Sequence, residues 1–240
     1  MTELISVVIP TYNRYTFVLN AIHSIKNQTY KNIEIIVVND KSSQGEYYTH
    51  DWEKEGVQMI HLEQNTRKIV GFPCGAYVRN KGIEASNGKY IAFCDDDDIW
   101  FPKKLELQIN AMKESGCAMS STDGLHGHGV YNPNKKYPLF NAEKHYNDLR
   151  NHYRKNKSDA LNNGFPKIWN LAFLKIHNCV ITSSVVMEKE LLTKINNMKL
   201  KPNAKEDYDC WLRALVHTDL VYVYDSCFYY DADHGSGKNY

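Results

Sequence analysis

Residues 4–27 read LISVVIPTYNRYTFVLNAIHSIKN, and the change of period inside them decides the fold. Leu4 to Pro10 is a continuous apolar run closed by a proline, whereas from Tyr15 to Asn27 the apolar residues Phe17, Val18, Ala21, Ile22 and Ile25 fall at helical spacing. A short unbroken apolar run is a strand buried on both faces, and the 3.6-residue period after it is a helix laid against that strand.

The unit then recurs. IEIIVVND (33–40) reads as a buried strand, EYYTHDWEKEG (46–56) as a polar helix, VQMIHL (57–62) as a strand and CGAYVRNKGIEAS (74–86) as a helix ended near Asn87-Gly88. KYIAFC (89–94) is a fourth strand, Pro102 opens a helix carried by Leu105, Leu107, Ile109 and Met112 to Gly116, and CAMSST (117–122) is a fifth strand. Alternation of this kind predicts an α/β fold with a mostly parallel sheet covered by helices. Ligands of such sheets bind beyond the carboxyl ends of strands, which directs attention to 11–13, 39–43 and 95–98. From Asp123 to about Pro166 the chain is rich in Gly, Asn, His, Lys and Tyr and reads as a long loop-rich insertion. Regular structure is expected again at VITSSVVM (180–187), in helices over 189–195 and 209–216, and in LVYVYD (220–225).

With 240 residues, 42% of them hydrophobic, the chain is long enough for one large domain. Lys plus Arg number 29 against 28 Asp plus Glu, so no basic nucleic-acid footprint and no acidic tail is expected. MTELISVVIPTYN has no basic leader and its apolar run is too short for a signal sequence or a span, so a cytoplasmic chain is expected. The six cysteines, at 74, 94, 117, 179, 210 and 227, form no CxxC pair and read as small buried hydrophobes. His126 and His128 lack a second ligand pair at zinc-finger spacing.

IAFCDDDDIW (91–100) demands a counter-charge. A helix dipole contributes only about 0.3–1 kcal/mol per favourable charge, too little to hold four anions together. A divalent cation does better. An EF-hand needs Gly at the sixth loop position, where Trp100 stands, while Mg²⁺ or Mn²⁺ shared between carboxylates and substrate phosphates fits the pattern. The bland alternative is a solvated acidic turn.

ISVVIPTYNR, EIIVVNDKSS and YVRNKGIEASNGKYIAFCDDDDIWFPKKL, in that order and spacing, resemble the nucleotide-sugar-binding half of the family 2 glycosyltransferases of GT-A fold, over residues 4 to 115. The resemblance implies a single GT-A domain over 1–240, with 1–122 binding the donor and a loop-rich 123–240 binding the acceptor and carrying the catalytic base. It implies a DxD-type motif in which Asp97 and Asp95 hold Mn²⁺ or Mg²⁺ and Asp96 contacts the donor ribose, an allocation uncertain by one position within a run of four. Pro10, Thr11 and Tyr12 fall where the family contacts the nucleoside, and Asp40 where it contacts the base; Asp40 could equally cap a turn. Arg79, in the family's "aRN" segment, either faces the diphosphate or pairs with the aspartates. KEDYDCWLRAL (205–215) resembles the segment whose acid after Glu is the catalytic base, here Asp207, although two acids in a first helical turn also suit helix stability alone. His234, before a Gly-Ser-Gly stretch, matches a residue that completes the metal site or touches the diphosphate, and the glycines suggest a lid.

The implied function is metal-dependent, inverting transfer of a sugar from a nucleoside-diphosphate donor, UDP favoured, to a hydroxyl acceptor such as a glycan. Two rivals remain. A catalytically silent nucleotide- or carbohydrate-binding module would be marked by loss of the acids, which are all present, and a sugar-nucleotide pyrophosphorylase would carry a Gly-rich basic loop where PTYNR stands.

Overall fold

Strand β1 (Ile5–Thr11) and helix α1 (Tyr15–Lys26) form where the change of period places them. Ile5, Val7 and Ile9 of β1 pack with Val18, Ala21, Ile22 and Ile25 of α1 on one face of the sheet. Val8 points to the other face, as a period of two requires. The chain continues through β2 (Ile33–Asn39), α2 (Glu46–Thr49), β3 (Val57–His61), α3 (Thr66–Val70), α4 (Gly75–Ala85) and β4 (Tyr90–Phe93). A Cβ on Gly82 of α4 would stand 2.4 Å from Val8 Cγ1, so this glycine lets α4 lie close on β1. The computed structural model describes residues 2–202 and 206–234.

Strands β1 to β4 pair in parallel, β1 lying between β2 and β4. The chain moves outward from β1 to β2 and β3 and then crosses back to β4. Connections therefore diverge at the carboxyl ends of β1 and β4, opening a crevice at a topological switch point. Beyond it follow β5 (Ile99–Trp100), α5 (Lys104–Ser115), β6 (Met119–Gly127), α6 (Tyr146–Lys155), β7 (Ile168–Trp169), α7 (Leu171–Ile176), β8 (Val186–Glu188), α8 (Lys189–Lys194), α9 (Glu206–Ala214) and β9 (Leu220–Asp231). The sheet order is β3-β2-β1-β4-β8-β6-β9-β5, with β7 also on β9. The α/β expectation holds, while the second half makes the sheet mixed: β8 runs antiparallel to β4 and β6, and β5 and β7 run antiparallel to β9.

The segment expected to be loop-rich is more regular than its composition suggests. β6 continues to Gly127, a π-helical turn covers Phe140–Lys144, and α6 follows. Register shifts against β9 between Thr122 and Leu125 break the alternation by which a strand is recognised. β9 likewise outruns LVYVYD, because Tyr224 and Asp225 are exposed in mid-strand and interrupt its apolar pattern. The expected polar helix over 46–56 shrinks to its first turn, and α9 starts at Glu206 rather than 209, putting Glu206 and Asp207 in its first turn. All six cysteines are unpaired and buried.

Lys104 is fully buried, 4.1 Å from the Trp100 ring centroid, and donates to Gln108 Oε1 at 2.6 Å. Burial pushes its ammonium down to about 8. A cation whose pKa falls on folding destabilises the fold fully below the lower value, and the penalty disappears as pH rises through the ordinary lysine value. Comparing the parent with Lys104→Met by denaturant melts, we expect the parent to gain on the variant by up to about 1.4 kcal/mol per pH unit from pH 8 to 10. A pH-independent difference would show that Lys104 keeps the ordinary lysine pKa in the fold and stays charged there.

Candidate active site

The crevice between β1 and β4 gathers the predicted residues. Thr11, the last residue of β1, donates from Oγ1 to Asp96 Oδ2 at 2.7 Å and lies 2.5 Å from the Tyr47 hydroxyl. Pro10 and Tyr12 flank it, half-buried. At the end of β2, Asp40 is wholly buried, its Oδ1 accepting from the Thr66 backbone N–H at 2.8 Å and its Oδ2 from the Thr66 hydroxyl at 2.7 Å. Asp40 thus braces the N-terminus of α3 against the crevice wall.

Asp95 to Asp98 form the turn from β4 to β5, and Asp96, Asp97 and Asp98 are buried. Burial, then the like charges of Asp96 and Asp95, pushes the Asp97 carboxyl up to about 8. Burial and Asp97 raise Asp98 well above the usual carboxylate range. Asp96 is raised by burial, although Arg14 and Thr11 pull it back.

Arg14, to which the sequence reading gave no role, supplies the nearest counter-charge. Its Nη1 lies 2.9 Å from both Asp96 Oδ1 and Asp97 Oδ2. Asn13 aims it: with φ of 52° this residue turns the chain, receives the Ser43 backbone N–H on Oδ1 at 2.7 Å and donates its own N–H to Ser42 Oγ at 2.8 Å. The ends of β1 and β2 are locked together, and Arg14 is delivered over the acidic turn. The signal was available in the position of Arg14, directly after 11–13, a strand end already singled out.

Arg79 takes the second of its two anticipated roles. Its Nη2 pairs with Asp95 Oδ1, and it is buried. Burial works against its charge, but Asp95 and Glu206 outweigh that and leave its pKa raised. Gly75 makes the arrangement possible, since a Cβ there would stand 2.5 Å from Arg79 Nη1 and 3.2 Å from Glu206 Oε1.

Asp207 shares Arg79 with the acidic turn, since the guanidinium feels the charges of both Asp95 and Asp207. Its Oδ2 accepts from the Thr182 hydroxyl at 3.3 Å and its Oδ1 from the Tyr208 N–H. Burial raises its pKa, with Tyr208 and Arg79 acting in the opposite sense. A carboxylate raised toward neutrality is better matched to accepting a hydroxyl proton.

At the other rim, Asp98 Oδ1 accepts from the Asp231 N–H at 3.1 Å, and Asp231 Oδ2 lies 2.7 Å from His234 Nδ1. The His234 ring packs on Phe17 at 4.6 Å, and its backbone carbonyl accepts from Arg14 Nη2. His234 therefore reaches the acidic turn through its carbonyl, with its Nδ1 engaged by Asp231. The Gly-Ser-Gly stretch proposed as a lid lies outside the described residues.

The donor set suits a hard divalent cation, which takes carboxylate oxygens. Arg14 is a cation already held between Asp96 and Asp97, and Asp98 Oδ2 is buried without a hydrogen-bond partner. Among the described residues no three acidic, His or Cys side chains converge as a ready cage, so an ion would have to displace Arg14.

The family profile described as glycosyl transferase family 2 matches residues 6–166. This chain belongs to glycosyltransferase family 2. WfaP of Escherichia coli, a UDP-Glc:alpha-D-GlcNAc-diphosphoundecaprenol beta-1,3-glucosyltransferase, is 28% identical over 231 residues, covering 92% of this chain and 76% of WfaP. Among solved structures, Staphylococcus aureus TarS 1-349 in complex with UDP-GlcNAc superposes with a TM-score of 0.70 at 16% identity, over 97% of this chain and 59% of that one. The mannosyltransferase PcManGT of Pyrobaculum calidifontis, in complex with GDP-Man and Mn²⁺, gives 0.66 at 14% identity, over 98% and 59%. These two show the GT-A fold of this family 2 glycosyltransferase. The chain spans 26% and 46% of the lengths of two curated relatives that it matches at 33% and 37% identity. Among the described residues no helix of this glycosyltransferase is long and apolar enough to cross a membrane.

Proposed function

We propose that the chain is a metal-dependent, inverting glycosyltransferase that moves a sugar from a UDP-sugar to a hydroxyl of a glycan acceptor. The observation that carries the reading is the buried acidic turn at the switch-point crevice, which holds the Arg14 guanidinium between Asp96 and Asp97, together with the raised carboxylate of Asp207, which shares Arg79 with Asp95. The UDP-Glc donor in the name of WfaP and the Mn²⁺ in the PcManGT complex agree with it.

Asp97 and Asp95 would hold Mn²⁺ or Mg²⁺, with His234 at the rim. When bound, such an ion stabilises negative charge on a leaving diphosphate. Arg79 holds Asp95 in place through their ion pair, and Asp96, fixed by Thr11, is assigned to the ribose. Pro10 and Tyr12 line the nucleoside side. Asp40, held by Thr66, is assigned to the imino N–H of the base, since each carboxylate oxygen has a second lone pair. Asp207 accepts the acceptor hydroxyl proton as that oxygen bonds to the anomeric carbon, while the bond to the nucleoside diphosphate breaks on the opposite face. One displacement inverts that carbon.

Calorimetry with UDP checks the donor side. Binding is expected in Mn²⁺ and is expected to weaken at least tenfold, about 1.4 kcal/mol, in EDTA. Undiminished affinity in EDTA would end the metal-dependent reading.

A further inference from the structure

The crevice leaves unused a cavity of about 280 Å³ in the second half of the chain. One wall is the π-helical turn, with Phe140 and Asn141; α6 adds His145, Asp148 and His152, and Asn178 closes the opposite side. π-helical turns are rare and cluster at functional sites. This one is firmly anchored, for the Asn141 and Ala142 N–H groups each donate at 3.0 Å to Asp123, one to Oδ1 and the other to Oδ2, where β6 changes register. Asn141 Nδ2 donates across to the Cys179 carbonyl at 3.0 Å and ties the two walls together. Asn141 is 2% exposed, and its Oδ1 has no hydrogen-bond partner.

The lining specifies the occupant. It holds no lysine or arginine, so it does not suit a phosphate or another anion. Burial lowers the pKa values of His145 and of His177, another lining residue, and favours their neutral forms. An aromatic ring, two amides, imidazoles and one carboxylate together offer an apolar face bordered by donors and acceptors for hydroxyls. The volume lies just under the ~300–1,000 Å³ of drug-sized ligand pockets and is too small for a whole nucleotide sugar. It has room for one pyranose ring.

Neighbouring residues link the cavity to the acidic turn and to Asp207. The Phe140 ring meets Tyr230 edge-on at 5.6 Å, and the acidity of Tyr230 is suppressed by burial and then by Asp98, Asp95 and Asp97. Asn178 lies four residues before Thr182, whose hydroxyl is bonded to Asp207. A ring seated there lies within one short chain segment of the group that takes its hydroxyl proton.

We propose that this cavity is the acceptor subsite and seats one neutral pyranose ring of the acceptor glycan, with Phe140 against its C–H face and Asn141, Asp148 and Asn178 on its hydroxyls. The proposal rests on the glycosyltransferase reading and specifies where its acceptor sits.

Saturation-transfer NMR on the intact chain tests it, using the methyl pyranosides of glucose, galactose, mannose and N-acetylglucosamine as probes, with UDP and Mn²⁺ calorimetry alongside. At least one pyranoside should give ring-proton signals, and its affinity should fall about tenfold in Phe140→Leu, an aromatic contact being worth about 0.5–1.5 kcal/mol. Asn178→Ala, on the opposite wall, should weaken the same probe, while both variants bind UDP as the parent does and so report an intact fold. No signal from any of the four probes, or signals equally strong in both variants, would overturn the subsite. Absence of UDP binding in the parent, with pyranoside signals that depend on Phe140, would instead overturn the transferase reading and leave a saccharide-binding cavity.

Discussion

Asp207→Asn should cut sugar transfer by about 10²–10⁴-fold while leaving the affinities for UDP and Mn²⁺ within a factor of about two. Asn keeps the shape of the side chain and its acceptor oxygen for Thr182, but it cannot take a proton. Asp207 makes its hydrogen bonds to Thr182 and Tyr208 and none to the acidic turn, so the nucleotide side is expected to be spared. A residue that merely began α9 would behave differently, since Asn serves a helix N-terminus nearly as well as Asp. NMR of the first product supplies an independent check: an inverted anomeric centre agrees with one displacement, and retention would overturn the mechanism even with transfer demonstrated.

Asp97→Asn should remove Mn²⁺-dependent UDP binding. Residues that only orient metal ligands typically cost about 10–100-fold in metal affinity when changed, so a direct ligand should cost at least about 100-fold. Without metal the same variant should melt no lower than the parent. Burial and its like-charged neighbours push the Asp97 carboxyl up to about 8, so replacing it with a neutral amide relieves a repulsion that the metal-free fold carries. Opposite signs on binding and on folding distinguish a functional carboxylate from one retained for structure. If Asp95→Asn or Asp98→Asn abolishes metal dependence while Asp97→Asn does not, the allocation within the run is displaced.

The first half was legible because its signals are local. β1, β2 and β4 are short apolar runs whose ends are marked by Pro10, Asp40 and Asp95, and ligands of open α/β sheets gather beyond such ends. The pairing of Arg79 with Asp95 was one of two open readings, and only tertiary distance selects between them. Arg14 was missed because the bond joining it to Asp96 and Asp97 spans more than eighty residues. Lys104 was missed because its neighbours in sequence are those of an ordinary solvated helix start, and nothing local reports that β9 covers it. In the second half, the shifted register of β6 and the exposed Tyr224 and Asp225 of β9 hid how far two strands run beyond the stretches read from the sequence.

Arg14 gives the crevice a built-in competitor. As long as its guanidinium bridges Asp96 and Asp97, a metal arriving alone must evict it into a place with no equivalent anion. A diphosphate arriving with the metal brings that anion, and the displaced guanidinium regains a bidentate partner. The two ligands should therefore show positive heterotropic cooperativity, each raising the affinity for the other by the same factor, as linkage demands. Because Arg14 also holds the His234 carbonyl, the same exchange unties the turn at the end of β9. Under the proposed function, loading of the donor would thus be felt as far as the end of β9.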